Sequence, residues 1–287
     1  MIRTLKKKDW FRADGVPIAV EIRDPQEPFG LHCHEFWEIV IISGGSGLHV
    51  TDKDSWQLAA GDAFVIGGAR PHDYHNLANL RLVNILFDPE ELSLDLQDLT
   101  SLPGYHALFH LEPAWRKRHQ FESRLRLNAR DLHVAVALTD QLDAELRARS
   151  AGYGFVATAL FMQLVAHLSR CYSRSQQASS RALLRVAKTI THIETHSTES
   201  LNLEELIQIS AMPRRSFLRA FEAATGATPI AYLIQLRINR AADLLRRTTK
   251  SITGIAFEVG FQDSNYFSRQ FRKRYGMSPT DYRRLHE

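Results

Sequence analysis

Two groups of residues have types and spacings that could do chemistry. The first lies in Leu31-His32-Cys33-His34-Glu35-Phe36-Trp37-Glu38, at the edge of an apolar run. Positions 32, 34 and 38 share parity, and residues of one parity share one face of a β-strand. His32, His34 and Glu38 therefore offer two imidazoles and a carboxylate together. A further histidine-bearing stretch, Pro71-His72-Asp73-Tyr74-His75-Asn76, follows Gly61-Asp62-Ala63-Phe64-Val65-Ile66. The second group lies near the C-terminus. Phe217 and Phe221, and again Phe267 and Phe271, are four residues apart, so each pair shares a helix face and reads as buried. Arg214, Arg215, Leu218 and Arg219 then point outward from the first helix, and Ser264, Asn265, Ser268 and Arg269 from the second. Arginine forks toward guanine O6 and N7, asparagine pairs bidentately with adenine, and short hydroxyls reach base edges. That chemistry is DNA reading in a major groove, whereas a merely solvated face would not need the same construction twice.

The elements that must position these groups fall into two halves. Residues 16 to 87 hold short apolar runs, including Glu38 to Ile42, Gly47 to Val50, Ala63 to Ile66 and Leu80 to Phe87, separated by Gly, Asp, Pro and Asn. That pattern predicts the closely spaced strands of a sandwich or small barrel. Beyond Glu90 the period changes, and 129 to 148 and 154 to 172 read as amphipathic helices that either cover the barrel or form a helical dimer seam. Ser173 to Ser180 is small and polar and reads as a linker. From Leu183 onward the pattern is helical. Asn202 and Glu205 form a capping-box signature, Thr253 reads as the cap of a later helix, and two helix-turn-helix segments, Leu206 to Phe221 and Ile255 to Phe271, repeat one another. His133, His167 and His192 fall on helices and read as structural.

Composition limits the rest. With 287 residues, 44% apolar and 24% charged, the chain has room for two ordinary globular domains and is unlike a disordered or collagenous protein. The net charge of +4 is uneven: the chain from Ala182 onward is basic and the remainder slightly acidic, as for a nucleic-acid reader attached to another module. Met1 to Lys8 is basic, but no apolar stretch follows it, so no secretory signal is expected. Uninterrupted apolar runs such as Ile39 to Ile42 are far shorter than a membrane span. The two cysteines, Cys33 and Cys171, stand far apart and suggest a reducing compartment. The expected location is the cytoplasm.

Residues 183 to 285 resemble the DNA-binding domain of AraC/XylS-family regulators. The resemblance is carried by Ile255-Ala256, Gly260-Phe261, Asp263-Ser264-Asn265-Tyr266-Phe267-Ser268, Phe271, Gly276-Met277-Ser278-Pro279 and Tyr282-Arg283. It implies a long helix joining the two units, matched by Ala231 to Arg247, and recognition helices in successive major grooves. It also implies contact with RNA polymerase and action as an activator. Pro213 departs from the usual Ser or Thr and removes a hydroxyl cap.

The N-terminal half resembles the cupins, whose two motifs are matched by His32, His34, Glu38 and His72, with Gly67 and Ala69 in place of the usual Pro and Gly. The resemblance puts those four side chains at metal-ligand positions, where they would suit Zn, Ni, Mn or Fe. The alternative is a metal-free pocket in which His32, His34, Glu38, His72 and Trp37 are walls for a small effector. Phe36 to Val50 and Leu102 to Tyr105 are most similar to regulators of L-rhamnose catabolism within the AraC family, which implies a deoxyhexose effector. The expected architecture is an α+β multidomain chain: a cupin-like β-barrel plus helices over 1–172 for effector binding and dimerisation, a linker over 173–182, and an all-α DNA-binding domain with two helix-turn-helix units over 183–287. The expected partners are double-stranded DNA, a sugar effector, RNA polymerase and a second copy of the chain, with no membrane and no catalysis. Two rivals remain: a metal-dependent cupin enzyme fused to a DNA-binding domain, and a repressor without a small effector.

Overall fold

The computed structural model describes residues 2–13, 15–51, 54–92, 99, 101–113 and 125–286. The chain forms two compact units, residues 1–184 and 185–287.

Among the described residues the first unit is built on an eight-stranded sheet: β1 (Arg3–Leu5), β2 (Ile18–Arg23), β3 (His32–His34), β4 (Trp37–Thr51), β5 (Ser55–Ala59), β6 (Asp62–Ile66), β7 (His72–Phe87) and β8 (Leu125–Arg126). Its order is β1-β3-β7-β4-β6-β8, with β2 on β7 and β5 on β4. The long strands β4 and β7 pair antiparallel from Trp37↔Phe87 to Thr51↔His72, and the register shifts between Ile42 and Leu48. Such irregularities bend a strand. Gly45 stands at the bend with φ +68, and a Cβ there would fall 1.9 Å from the Asn79 carbonyl oxygen, so both backbone angle and space require glycine. Alternation then sorts the side chains of β4. Val40 and Ile42 join Leu58, Phe64, Ile66, Tyr74, Leu80 and Leu82 in one buried cluster, while Ile39 and Ile41 are buried on the other face.

The strand region begins earlier than the sequence pattern indicates. β1 pairs in parallel with β3, and a short helix, α1 (Lys7–Trp10), follows it. Leu5, Phe36 and Leu86 form a small core there, with Trp10 and Phe11 packed against it. After a short helix, α2 (Pro103–Tyr105), which continues as a π-helical turn to Leu111, come α3 (Ala129–Ala148) and α4 (Tyr153–Ser173). Both agree with the helical periods to within a residue. Asn128 caps α3 by accepting from the Asp131 N–H. The ring of Phe161 on α4 lies 5.0 Å from that of Phe87, so the helices cover part of the sheet. α4 is long and apolar enough to cross a membrane by length and composition, although no uninterrupted apolar run shows this. Its Ala157, Phe161, Leu164 and Leu168 are buried in this unit, as in a core helix.

The expected linker is mostly helical. α4 ends at Ser173, and α5 spans Ala178–Thr195, because the apolar stripe of Leu183, Val186, Ala187, Ile190 and Ile193 extends a helix back through serines that tolerate it. The remaining helices are α6 (Leu203–Ser210), α7 (Arg214–Thr225), α8 (Pro229–Arg247), α9 (Ile252–Glu258), α10 (Ser264–Tyr275) and α11 (Pro279–His286). α6–α7 and α9–α10 are the two helix-turn-helix units, and α8 is the long helix between them. Leu206, Phe217 and Phe221 are fully buried in the first unit. Phe267 and Phe271 join Ile238, Ala241, Leu245, Ile255, Val259 and Tyr282 around the second.

Candidate functional site

In the barrel, β3, β4 and β7 bring three side chains to one point. Residue 32 is the register partner of residue 72, which seats the two histidine-bearing segments beside each other. Ligand atoms of His34, Glu38 and His72 all lie within 4.8 Å of one another. His34 Nε2 is 3.1 Å and His72 Nε2 3.5 Å from Glu38 Oε2. His32 is adjacent, its ring centroid 4.3 Å from that of His72, and all four residues are buried.

The protons decide what this cluster can hold. The Nδ1 atoms of His34, His32 and His72 face the backbone oxygens of Phe36, Gly30 and Arg70 at 2.5, 2.8 and 3.0 Å. A carbonyl only accepts, so each Nδ1 donates and Nε2 is left as the ring atom for any other partner. With no proton on Nε2, His34 and His72 aim lone pairs at a carboxylate oxygen, itself an acceptor. Three converging acceptors require a proton or a cation between them. Burial pushes the Glu38 carboxyl up, but protons shared with the Nε2 atoms of His34 and His72 outweigh it and hold the group well below the usual carboxylate range; a cation in their place would do the same. Burial and the neighbouring His72 lower His32 to about 4, so it is uncharged at neutral pH. Imidazoles locked through Nδ1 to carbonyls, with Nε2 presented inward, are the arrangement that holds metal-ligating histidines. These residues therefore fit a divalent cation.

The cavity beside them has a volume of about 40 Å³ and is also lined by Gln26, Phe29, Tyr74 and Asn84. It suits an ion or a water and is far below the roughly 300 Å³ from which small-molecule sites commonly start. The Tyr74 hydroxyl and Asn84 Oδ1 are buried without a hydrogen-bond partner among the described residues, so they are available to a guest. The sequence pattern did not single out either one, because both read as ordinary members of an alternating strand. Trp37 is a correction: it does not line this cavity. Next to Glu38 on the strand, it faces the other way, with its ring 6.2 Å from Phe87 and close to Gly67.

In the second unit the site is a surface. Arg214, Arg215 and Arg219 are exposed on α7 and Leu218 is half-buried. Arg214 forms an ion pair with Glu204 on α6. On α10, Asn265 and Arg269 are exposed and Ser264 and Ser268 half-buried; Ser268 Oγ donates to the Ser264 carbonyl at 2.9 Å. The two recognition helices start differently. The Asp263 side chain accepts from the Asn265 N–H at 2.8 Å, whereas Pro213 gives α7 no side-chain cap. Asn202 caps α6, accepting from the Glu205 N–H at 3.0 Å, as its sequence signature implies. The cap of α9 is Ser251, accepting from the Gly254 N–H at 3.0 Å, and not Thr253, because the helix begins two residues earlier than its apolar period shows. Gly260 turns the second unit with φ +99, where a Cβ would lie 2.8 Å from the Thr198 backbone.

His167, expected as structural, has partners across the helix pair. Its Nε2 donates to the Asp131 carbonyl at 2.9 Å and lies 3.7 Å from Cys171 Sγ.

A strand-built cavity of inward polar groups, in one chain with a doubled helix-turn-helix that presents polar faces outward, defines a regulator with separate sensing and DNA-reading modules. The chain matches the AraC-like ligand binding domain over residues 15–156 and the helix-turn-helix domain family over residues 206–285. It is 34% identical to the HTH-type transcriptional activator RhaR of Salmonella dublin, over 98% of this chain and 96% of that protein. It is 30% identical to RhaR of Mannheimia succiniciproducens, over 98% and 97%. A solved structure of the AdpA DNA-binding domain in complex with a target DNA is 30% identical, covering 36% of this chain and 92% of that one with a TM-score of 0.35. The chain belongs to the AraC family of helix-turn-helix transcriptional regulators, with RhaR-type activators among its relatives.

Proposed function

We propose that this protein activates transcription in response to L-rhamnose or a closely similar deoxyhexose taken into the N-terminal barrel. The observation that carries the reading is the pairing of a buried polar cluster, His34, Glu38 and His72 with His32 beside it, with two outward recognition helices in one chain. The choice of sugar is supported by the resemblance of the barrel to rhamnose-catabolism regulators and by the RhaR-type relatives. A sugar is larger than the cavity, so binding requires the wall around Gln26, Phe29 and Tyr74 to move. That movement couples occupancy to a population shift.

On this reading residues 1–172 sense, 173–182 link and 183–287 bind DNA. Arg215 and Arg219 on α7, and Asn265 and Arg269 on α10, read bases, with Arg214, Leu218, Ser264 and Ser268 beside them. The protein works in the cytoplasm as a homodimer that contacts RNA polymerase, and it does not turn its effector over. Pairing through α3 and α4 is supported by the exposure of Phe155 (83%), Val156 and Val134, large apolar groups that gain from burial.

A second reading of the barrel rests on the three converging acceptors. His34, Glu38 and His72 would hold a divalent metal, which would supply Lewis-acid anchoring for effector hydroxyls. Two measurements on the intact protein test these readings: calorimetric titration with L-rhamnose and with other sugars, and metal content. The expected result is rhamnose binding that His34→Ala weakens. Bound metal lost in His72→Ala supports the second reading, and a metal-free protein with normal sugar binding removes it. Unchanged sugar binding in both variants would show that the cluster is not the effector site.

A further inference from the structure

We propose that Asp131, His167 and Cys171 form a separate site for a thiophilic divalent metal of the zinc class, in which the metal takes the position now held by the guanidinium of Arg174. His167 and Cys171 are four residues apart on α4, one turn along a single face, and Asp131 is in the first turn of α3. One ligand atom from each lies within 4.8 Å of the other two. The His167 Nε2 to Cys171 Sγ distance is 3.7 Å. A tetrahedral zinc with Zn–N of ~2.0 Å and Zn–S of ~2.3 Å has an N-to-S edge of about 3.5 Å, so the donors are already near their bound spacing.

A cation already sits at this spot. Arg174 Nη2 lies 3.3 and 3.5 Å from the two Asp131 carboxylate oxygens and 3.4 Å from Cys171 Sγ. One nitrogen thus bridges the acid and the sulfur, as a metal would. The Arg174 side chain is 64% exposed at the C-cap of α4, so it can swing into solvent at little cost. Asn128 Nδ2 donates to Asp131 Oδ2 at 2.8 Å and steadies the carboxylate. On loading, His167 gives up its N–H bond to the Asp131 carbonyl by moving the ring proton from Nε2 to Nδ1, which frees the Nε2 lone pair for the metal, and the Cys171 thiol releases its proton to solvent. An adjoining cleft of about 440 Å³, lined by Arg126, Asn128, Ser175 and Gln176, leaves a fourth position open to water or an outside ligand. Thiolate, imidazole and carboxylate together select zinc, cobalt or nickel over magnesium and calcium. The site shares no residue with the barrel cluster, so it stands or falls independently of the effector reading.

The test is titration of the reduced, full-length protein with Co(II), followed by the near-ultraviolet charge-transfer band of a cobalt-bound thiolate. The barrel cluster has no sulfur ligand, and the only other thiol is Cys33. The expected band survives Cys33→Ser, disappears in Cys171→Ser, and is competed away by Zn(II). Arg174→Gln, a substitution at an exposed side chain that leaves the fold intact, should tighten cobalt binding about three- to tenfold by removing the competing cation. Absence of the band, its persistence in Cys171→Ser, or weaker binding in Arg174→Gln would overturn the proposal. Because the arginine variant keeps all three donors, its result remains decisive even if Cys171→Ser is unstable.

Discussion

The barrel and the helical domain place their polar chemistry on opposite sides of their cores. In the barrel, His34, Glu38 and His72 are 1–3% exposed, and apolar strands surround them. In the helical domain the aromatic residues take the inside, with Phe217, Phe221, Phe267 and Phe271 fully buried, while arginine and asparagine face water. The difference follows from the ligands. A small effector or an ion is recognised by enclosing it, so its partners must be desolvated and preorganised. A DNA groove is recognised by insertion, so the reading groups must stand clear of the surface. Substitutions in the two regions should therefore fail in different ways.

The largest effect is expected from Phe271→Ala. It removes a fully buried ring that packs against Phe267, Tyr275 and Tyr282 and should cost about 3 to 5 kcal/mol. DNA binding should be lost while sugar binding persists, measured side by side on the intact protein. Equal loss of both would break the separation of the two regions. Glu38→Ala should do the reverse, since it removes the carboxylate that His34 and His72 face inside the barrel. Effector response should vanish with operator affinity retained.

Smaller effects sharpen the comparison within the helical domain. Arg215→Ala and Asn265→Ala should each relax preference at one base pair by about 1 to 3 kcal/mol of discrimination without changing the melting temperature. A binding-site selection that returns the wild-type profile for both would remove these residues from the reading face. The smallest contrast concerns the cap of α9. Ser251→Ala should cost about 1 kcal/mol, and Thr253→Ala less than about 0.5 kcal/mol, because Ser251 Oγ is the acceptor for the Gly254 N–H. Denaturant midpoints of the two variants decide it.

The same contrast explains which parts were legible in the sequence. α3 and α4 follow a 3.6-residue period over nearly six turns each, and the duplicated aromatic pairs set the helix-turn-helix units, so these read directly. The three-residue β1 carries no period at all; only its pairing with β3 makes it a strand. The histidine motif reads because its residue types are unusual for a strand, but Tyr74 and Asn84 do not, since only the folded sheet sets these two β7 residues beside the cavity. Trp37 is expected as an aromatic wall of the effector pocket, yet as the neighbour of Glu38 on a strand it has the opposite parity and faces away. His167 shows no partner in the sequence, because Asp131 is brought to it only when α3 packs on α4.

The central claim is that a sugar held in the barrel controls what the helical domain does to DNA. The most direct measurement is a titration of operator DNA, at one fixed salt concentration, with the full-length protein and with a fragment starting near Arg181, each with and without L-rhamnose. The salt must be fixed because phosphate contacts make affinity salt-dependent. The account predicts that the fragment binds a half-site with the same affinity in both conditions. The full-length protein should bind paired half-sites more tightly, by raised effective concentration, and with an affinity that rhamnose changes. A fragment that responds to the sugar, or a full-length protein that binds the sugar with no change in DNA affinity or activation, would contradict it.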